Sequence, residues 1–106
     1  MTQGAAIATD AVTALGNLGK SGTIKVGTMD VSTAVLNDVK NGTLGWVIDQ
    51  QGYLQGFDSL QIAAQYLRYK LAPTAPVNTG GLIISKSNVY AALAVQKQYP
   101  GLRGAA

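Results

Sequence analysis

Asp10, Asp30 and Gln50 stand twenty residues apart, each just past a short apolar run. Carboxylates and side-chain amides accept or donate several directed hydrogen bonds at once. Adjacent hydroxyls of a sugar match that geometry, and a charged acceptor makes the stronger bond. Asp49 and Gln51 flank the last of the three and join the candidates. Asp10 and Asp30 also admit a plainer role, because Asp is common in turns and caps after the strands of any α/β protein. A carboxylate pair doing acid–base work, with Asp30 facing Asp49, is a weaker alternative. Trp46, the single tryptophan, could stack on a sugar ring. Its place between Leu44 and Ile48 on one alternation favours core packing instead, while Tyr53 suits either use.

The elements that must position these residues follow from the apolar spacing. Ala5–Ala8 reads as a strand ending at Thr9-Asp10, followed by a helix over Val12, Leu15 and Leu18. Ile24 and Val26 open a second strand that ends at Asp30, and Ser32 caps a helix with Val35, Leu36 and Val39 on its face. Asn41-Gly42 closes that helix through a left-handed residue. Leu44–Ile48 is the third strand, ending at Asp49-Gln50. A βα unit of this length builds a parallel sheet by right-handed crossovers, and ligands bind such sheets beyond the carboxyl ends of the strands. Asp10, Asp30 and Gln50 are therefore expected on one rim.

Tyr53 to Leu71 predicts one long helix, with Leu54, Phe57, Leu60, Ala64, Leu67 and Leu71 at three- and four-residue steps. Arg68 and Lys70 suit its last turn, and Pro73 follows as a stop. Residues 72–81 are rich in Pro, Thr and Gly, a crossing segment by composition. Leu82–Ile84 reads as a strand, and Asn88 caps a short helix that Pro100-Gly101 ends. The tail from Arg103 is expected to fray.

Composition bounds the chemistry. The chain has 106 residues, 47% of them hydrophobic and 12% charged, so it folds as a single domain or part of one. With no cysteine and no histidine, disulfides, thiol chemistry, the usual zinc sets and serine–histidine triads are absent. No enzyme activity, cofactor or metal is expected. The net charge of +3 comes from scattered bases, none adjacent to another, which argues against nucleic acid. No run nears the ~20 apolar residues of a membrane span, and Met1–Ala6 lacks the basic segment of a signal peptide. Gly16–Gly19 and Gly19–Gly22 follow a helix and complete no phosphate-binding fingerprint.

Three stretches carry a family resemblance: Val26-Gly-Thr-Met-Asp30, Val35 to Leu44, and Ile48-Asp-Gln-Gln-Gly-Tyr-Leu-Gln-Gly56. With Thr79-Gly-Gly-Leu-Ile-Ile-Ser-Lys-Ser-Asn-Val89 they resemble the periplasmic sugar-binding proteins of ABC transporters, in the type I, ribose-binding-like class. The resemblance covers about residues 5 to 90 and implies an α/β fold, a parallel sheet with flanking helices. It is a partial periplasmic-binding-protein-like I fold: C-lobe βα units over 5–49, a hinge crossing and long helix over 50–81, and a returning strand and short helix over 82–99. Residues 1–106 are then one partial domain. The family's ligand-binding roles fall on Asp10, Asp30 and Gln50, and its hinge on Gln51, Gly52, Thr79 and Gly80. Met29 stands where the family usually has Phe, and Gly52 where Pro is common; the second loosens the hinge.

The resemblance implies a monosaccharide ligand, an ABC permease as partner and a periplasmic location. Family members are nearly three times as long, so the long helix lacks the N-lobe it would pack on. Leaving its leucines and Phe57 in water forgoes roughly 1.5–3 kcal/mol each. The helix is expected to fold back on its own sheet, to pair with a second copy, or to dock on a missing N-lobe fragment. Binding by this chain alone should be weak or absent. A sensor-domain fragment of a sugar-responsive transcription regulator and a vestigial structural fragment are the alternatives.

Overall fold

Apolar residues at helical and strand spacing give four helices and a small sheet in the computed structural model, which describes residues 1–105. The order is β1 (Thr2–Gln3), α1 (Ala5–Asn17), β2 (Gly27–Met29), β3 (Val31–Ser32), α2 (Thr33–Asn41) and β4 (Trp46–Asp49). Then come α3 (Gly52–Tyr69), β5 (Leu82–Ser85), α4 (Val89–Gln98) and β6 (Gly104–Ala105). The main sheet runs β1-β2-β4-β5, parallel across its first three strands, with β5 antiparallel on β4. β3 and β6 form a separate parallel pair. The expected α/β fold with a mostly parallel sheet and flanking helices is what the chain adopts.

Ala5–Ala8 is not a strand. Gly4, at φ 130°, breaks the chain after β1, and the alanine-rich run beyond it winds into α1 instead. Ala is the best helix former, and Ala5, Ala8, Ala11, Val12 and Leu15 share one helical face against the core. Thr9 and Thr13 do not cap; their hydroxyls donate to carbonyls four residues back, at 3.2 and 2.9 Å. Ser32 does cap α2, accepting the Val35 N–H at 3.1 Å, and Gly42 closes that helix at φ 87°. Asn88 precedes α4, but its side chain accepts from Ser85 N–H and donates to the Ile83 carbonyl rather than capping the helix.

The core lies on one face of the sheet. Val35, Leu36 and Val39 of α2 meet Val47 of β4, Ile84 of β5, Val89 and Ala92 of α4, and Ala8 of α1. Alternation along β4 sends Val47 and Asp49 into that core and leaves Trp46 and Ile48 half-buried on the other face. Trp46 lies flat on β2, where a Cβ at Gly27 would stand 2.1 Å from the indole. Ile83, the cross-strand neighbour of Ile48, is exposed.

Two further expectations change. From Arg103 to Ala105 the tail does not fray: β6 pairs with β3, and the buried Gln96 amide donates to the Ala105 carbonyl at 3.0 Å, while Ala106 lies outside the described residues. Nor does the long helix fold back on the sheet. No residue of α3 is buried, and the molecule extends 59 × 26 × 21 Å. Among the described residues, no helix is long and apolar enough to cross a membrane.

Candidate functional site

Parallel pairing brings the carboxyl ends of β1, β2 and β4 to one edge, with Gln3 beside Met29 and Met29 beside Ile48. The residues just past those ends make the rim. Asp30 follows β2 at φ 69°, left-handed for a residue with a side chain, and its N–H still donates to the Ile48 carbonyl at 3.2 Å. Gln50 follows β4, and its Nε2 donates to Asp30 Oδ1 at 2.6 Å. The fold thus brings together two of the three expected ligand residues.

Asp10 is not the third strand tip. Because β1 ends at Gln3, Asp10 falls on the exposed surface of α1, five residues into the helix and so about 7.5 Å along it. Gln3 takes the strand-end position in its place. The signal was present in Gly4 followed by an alanine run, which favours a break and then a helix over a strand.

Asp49 and Gln51 do different work. Asp49 is 1% exposed and points inward, its Oδ2 accepting from the Arg103 guanidinium at 2.5 Å. Its Oδ1 accepts the Gln51 N–H at 2.8 Å. Asp30 bonds Gln50 on the rim and Asp49 bonds Arg103 in the interior, so the two carboxylates share no partner. Gln51, left-handed at φ 56°, starts α3, and its side-chain amide donates to the Thr79 carbonyl. That bond ties the outgoing chain at Gln51-Gly52 to the returning chain at Thr79-Gly80, where the Gly80 N–H donates to Asn78 Oδ1 at 2.8 Å. Gln55 Nε2 donates to the Gln50 carbonyl at 2.7 Å, which braces the peptide after the rim.

The Asp30–Gln50 bond uses one carboxylate oxygen and the amide nitrogen. Asp30 Oδ2 and Gln50 Oε1 remain as acceptors beside it, on an open edge rather than in a closed hole. A cleft of about 530 Å³ lies elsewhere, between α3 and the crossing segment, lined by Gln55, Asp58, Ile62 and Val77 among others. The rim offers directed hydrogen bonds at fixed spacing, suited to hydroxyls.

No family model matches the chain. A xylose/arabinose-binding protein of Sulfolobus acidocaldarius is 36% identical over 69 residues, 64% of this chain and 17% of that protein. A carbohydrate transporter protein of Acidothermus cellulolyticus 11B, solved with myo-inositol, superposes with a TM-score of 0.78 at 32% identity, covering 91% of this chain and 34% of that one. An ABC transporter solute-binding protein of Agrobacterium vitis, bound to α-D-tagatopyranose, superposes at 0.68 with 28% identity, over 91% of this chain and 30% of that one. The chain therefore spans about a third of the solved structures it matches and less of the curated relative. The resemblance read from the residues is borne out: this chain carries part of the type I periplasmic-binding-protein fold, the fold of ABC-transporter sugar-binding proteins.

Proposed function

We propose that the chain is the C-terminal portion of a solute-binding protein that captures a simple sugar for uptake through an ABC permease. The observation that carries this is the Asp30–Gln50 pair at the carboxyl edge of a parallel sheet, bonded at 2.6 Å with acceptors to spare. In this reading residues 5–49 contribute the C-lobe units and 82–99 the returning strand and helix. Gln51, Gly52, Thr79 and Gly80 form the hinge crossing, and α3 reaches toward a second body, either an N-lobe fragment or a second copy. The chain works in the periplasm and catalyses no reaction. With half the cage supplied from elsewhere, its own affinity for a monosaccharide is weak or absent.

Titration of the ¹⁵N-labelled chain with pentoses, hexoses and myo-inositol tests the rim. Backbone and side-chain amide shifts should move at Gln3, Asp30 and Gln50 and vanish in Asp30→Ala; Asp10→Ala should leave them unchanged. Shifts scattered over α4, or identical in Asp30→Ala, would remove the reading. Micromolar binding by the chain alone would contradict the half-cage.

A second reading, the sensor domain of a sugar-responsive regulator, rests on a LacI-type regulator from Bacteroides fragilis that superposes at a TM-score of 0.69. Its identity is 20%, a likeness of fold alone. A permease gene beside the coding sequence favours transport over this reading.

A further inference from the structure

A carboxylate removed from water must be met by charge and by hydrogen bonds. Asp49 is met twice, by the Arg103 guanidinium at 2.5 Å on Oδ2 and by the Gln51 N–H at 2.8 Å on Oδ1. Gln51 directly follows Gln50 and is held in a left-handed conformation that side chains rarely adopt. The Asp49 carboxylate therefore fixes the peptide from which Gln50 reaches Asp30.

The same segment grips the other half of the rim. Gly104, next to Arg103, pairs with Val31, and Val31 directly follows Asp30. The approach is so close that a Cβ at Gly104 would stand 1.9 Å from the Val31 carbonyl oxygen. From beneath, Gln96 is 4% exposed and donates to the carbonyls of Gly104 and Ala105, at 3.4 and 3.0 Å. Residues 101–105 thus contact the chain beside Asp30 through backbone pairing and the chain beside Gln50 through an ion pair. Leu102 and Arg103 also wall a cleft of about 210 Å³ against Tyr53 and Leu54, at the root of α3.

We propose that Arg103 is a positioning residue of the ligand rim: with residues 101–105 it pins Asp49 and β3 together, and so sets the spacing of Asp30 and Gln50. The proposal rests on reading that rim as the hydroxyl-binding edge, but the contact it controls exists without ligand. Arg103 touches no ligand and acts through Asp49.

The test follows the Gln50 side-chain amide by NMR in the sugar-free chain. Arg103→Gln keeps much of the stem and removes the charge. It should shift the Gln50 Nε2 protons toward the values of a solvated glutamine and speed exchange of the Gln51 N–H by roughly tenfold or more, as loss of a charge-assisted bond requires. Arg103→Lys should restore most of both. Val39→Ala weakens the core toward the far end of α2, away from β3, and should leave the Gln50 protons in place, which separates positioning from general destabilisation. Unchanged Gln50 protons in Arg103→Gln, or an equal change in Val39→Ala, would overturn the proposal. If Arg103→Gln does not fold, native-state hydrogen exchange of the unaltered chain decides. The Asp30 and Gln51 amides should open together with the β3–β6 ladder, and their continued protection after that ladder opens would sink the idea. Because no sugar is present, a chain that binds no monosaccharide removes the functional reading without deciding this one.

Discussion

Gly27 and Trp46 show at the scale of single residues how the sheet is set. The indole occupies the space where a Cβ would be, 2.1 Å from Cε2, so Gly27→Ala must push the ring or the strand aside. Overpacking of this kind costs about 1–3 kcal/mol, to be read by urea denaturation, with Trp46 emission shifting to longer wavelength. Pairing Gly27→Ala with Trp46→Leu should recover most of the loss, since the clash goes with the ring. Ser32 offers a second residue-scale expectation. Ser32→Ala deletes the acceptor for the Val35 N–H and should lower the unfolding free energy by about 1 kcal/mol. The aspartates divide by environment as well as by place. Asp30 and Asp49 both end strands, yet one is exposed with Gln50 and the other buried with Arg103, a distinction local spacing does not carry because Arg103 is 54 residues from Asp49.

The helices are built on two different energies. α2 buries Val35, Leu36 and Val39 within the chain, whereas α3 leaves Leu60 and Leu67 at 75% and 72% exposed. Leu36→Ala should therefore cost about 2–5 kcal/mol in a denaturant titration. Leu60→Gln and Leu67→Gln should change monomer stability by no more than about 0.5 kcal/mol. If instead the α3 changes unfold the chain, the helix is packed in solution and the exposed face described here is wrong. Tyr53 and Phe57 stack at the start of α3, 6.1 Å between centroids, and extend the apolar stripe toward Gln51 and Gly52. The helix itself is legible in the sequence to within two residues at its end, because three- and four-residue spacing is a local signal. What covers it is not, because amphipathicity names a face and never its partner.

At the scale of the molecule, surface and shape agree that something is uncovered. A compact monomer of 10.9 kDa exposes about 5,600 Å², and this chain exposes 6864 Å². Its Cα radius of gyration is 16.7 Å, against about 13 Å for a compact chain of this length. The surplus exceeds the roughly 800 Å² that each partner gives to a stable interface. Light scattering on the purified chain should accordingly show self-association at micromolar concentration, lost in the Leu60→Gln, Leu67→Gln double variant. A strictly monomeric, well-folded species would speak against a second copy.

The sequence by itself determined the α/β class, the strands ending near Asp30 and Asp49, the capped helix after Ser32 and the long apolar stripe, since each is written in residues within one turn or one strand of each other. It misplaced the first strand. An alanine-rich run of four apolar residues serves either period, and only the break at Gly4 and the burial of Ala8 against α2 and the sheet resolve it. The tertiary structure alone decided that Gln3 rather than Asp10 stands at the first strand end, that β5 joins antiparallel, and that residues 101–105 return to pair with β3 and hold Asp49. Those outcomes depend on contacts between segments far apart in the chain, whose energy is realised only after the intervening loops have closed, and short-range patterning has no access to it.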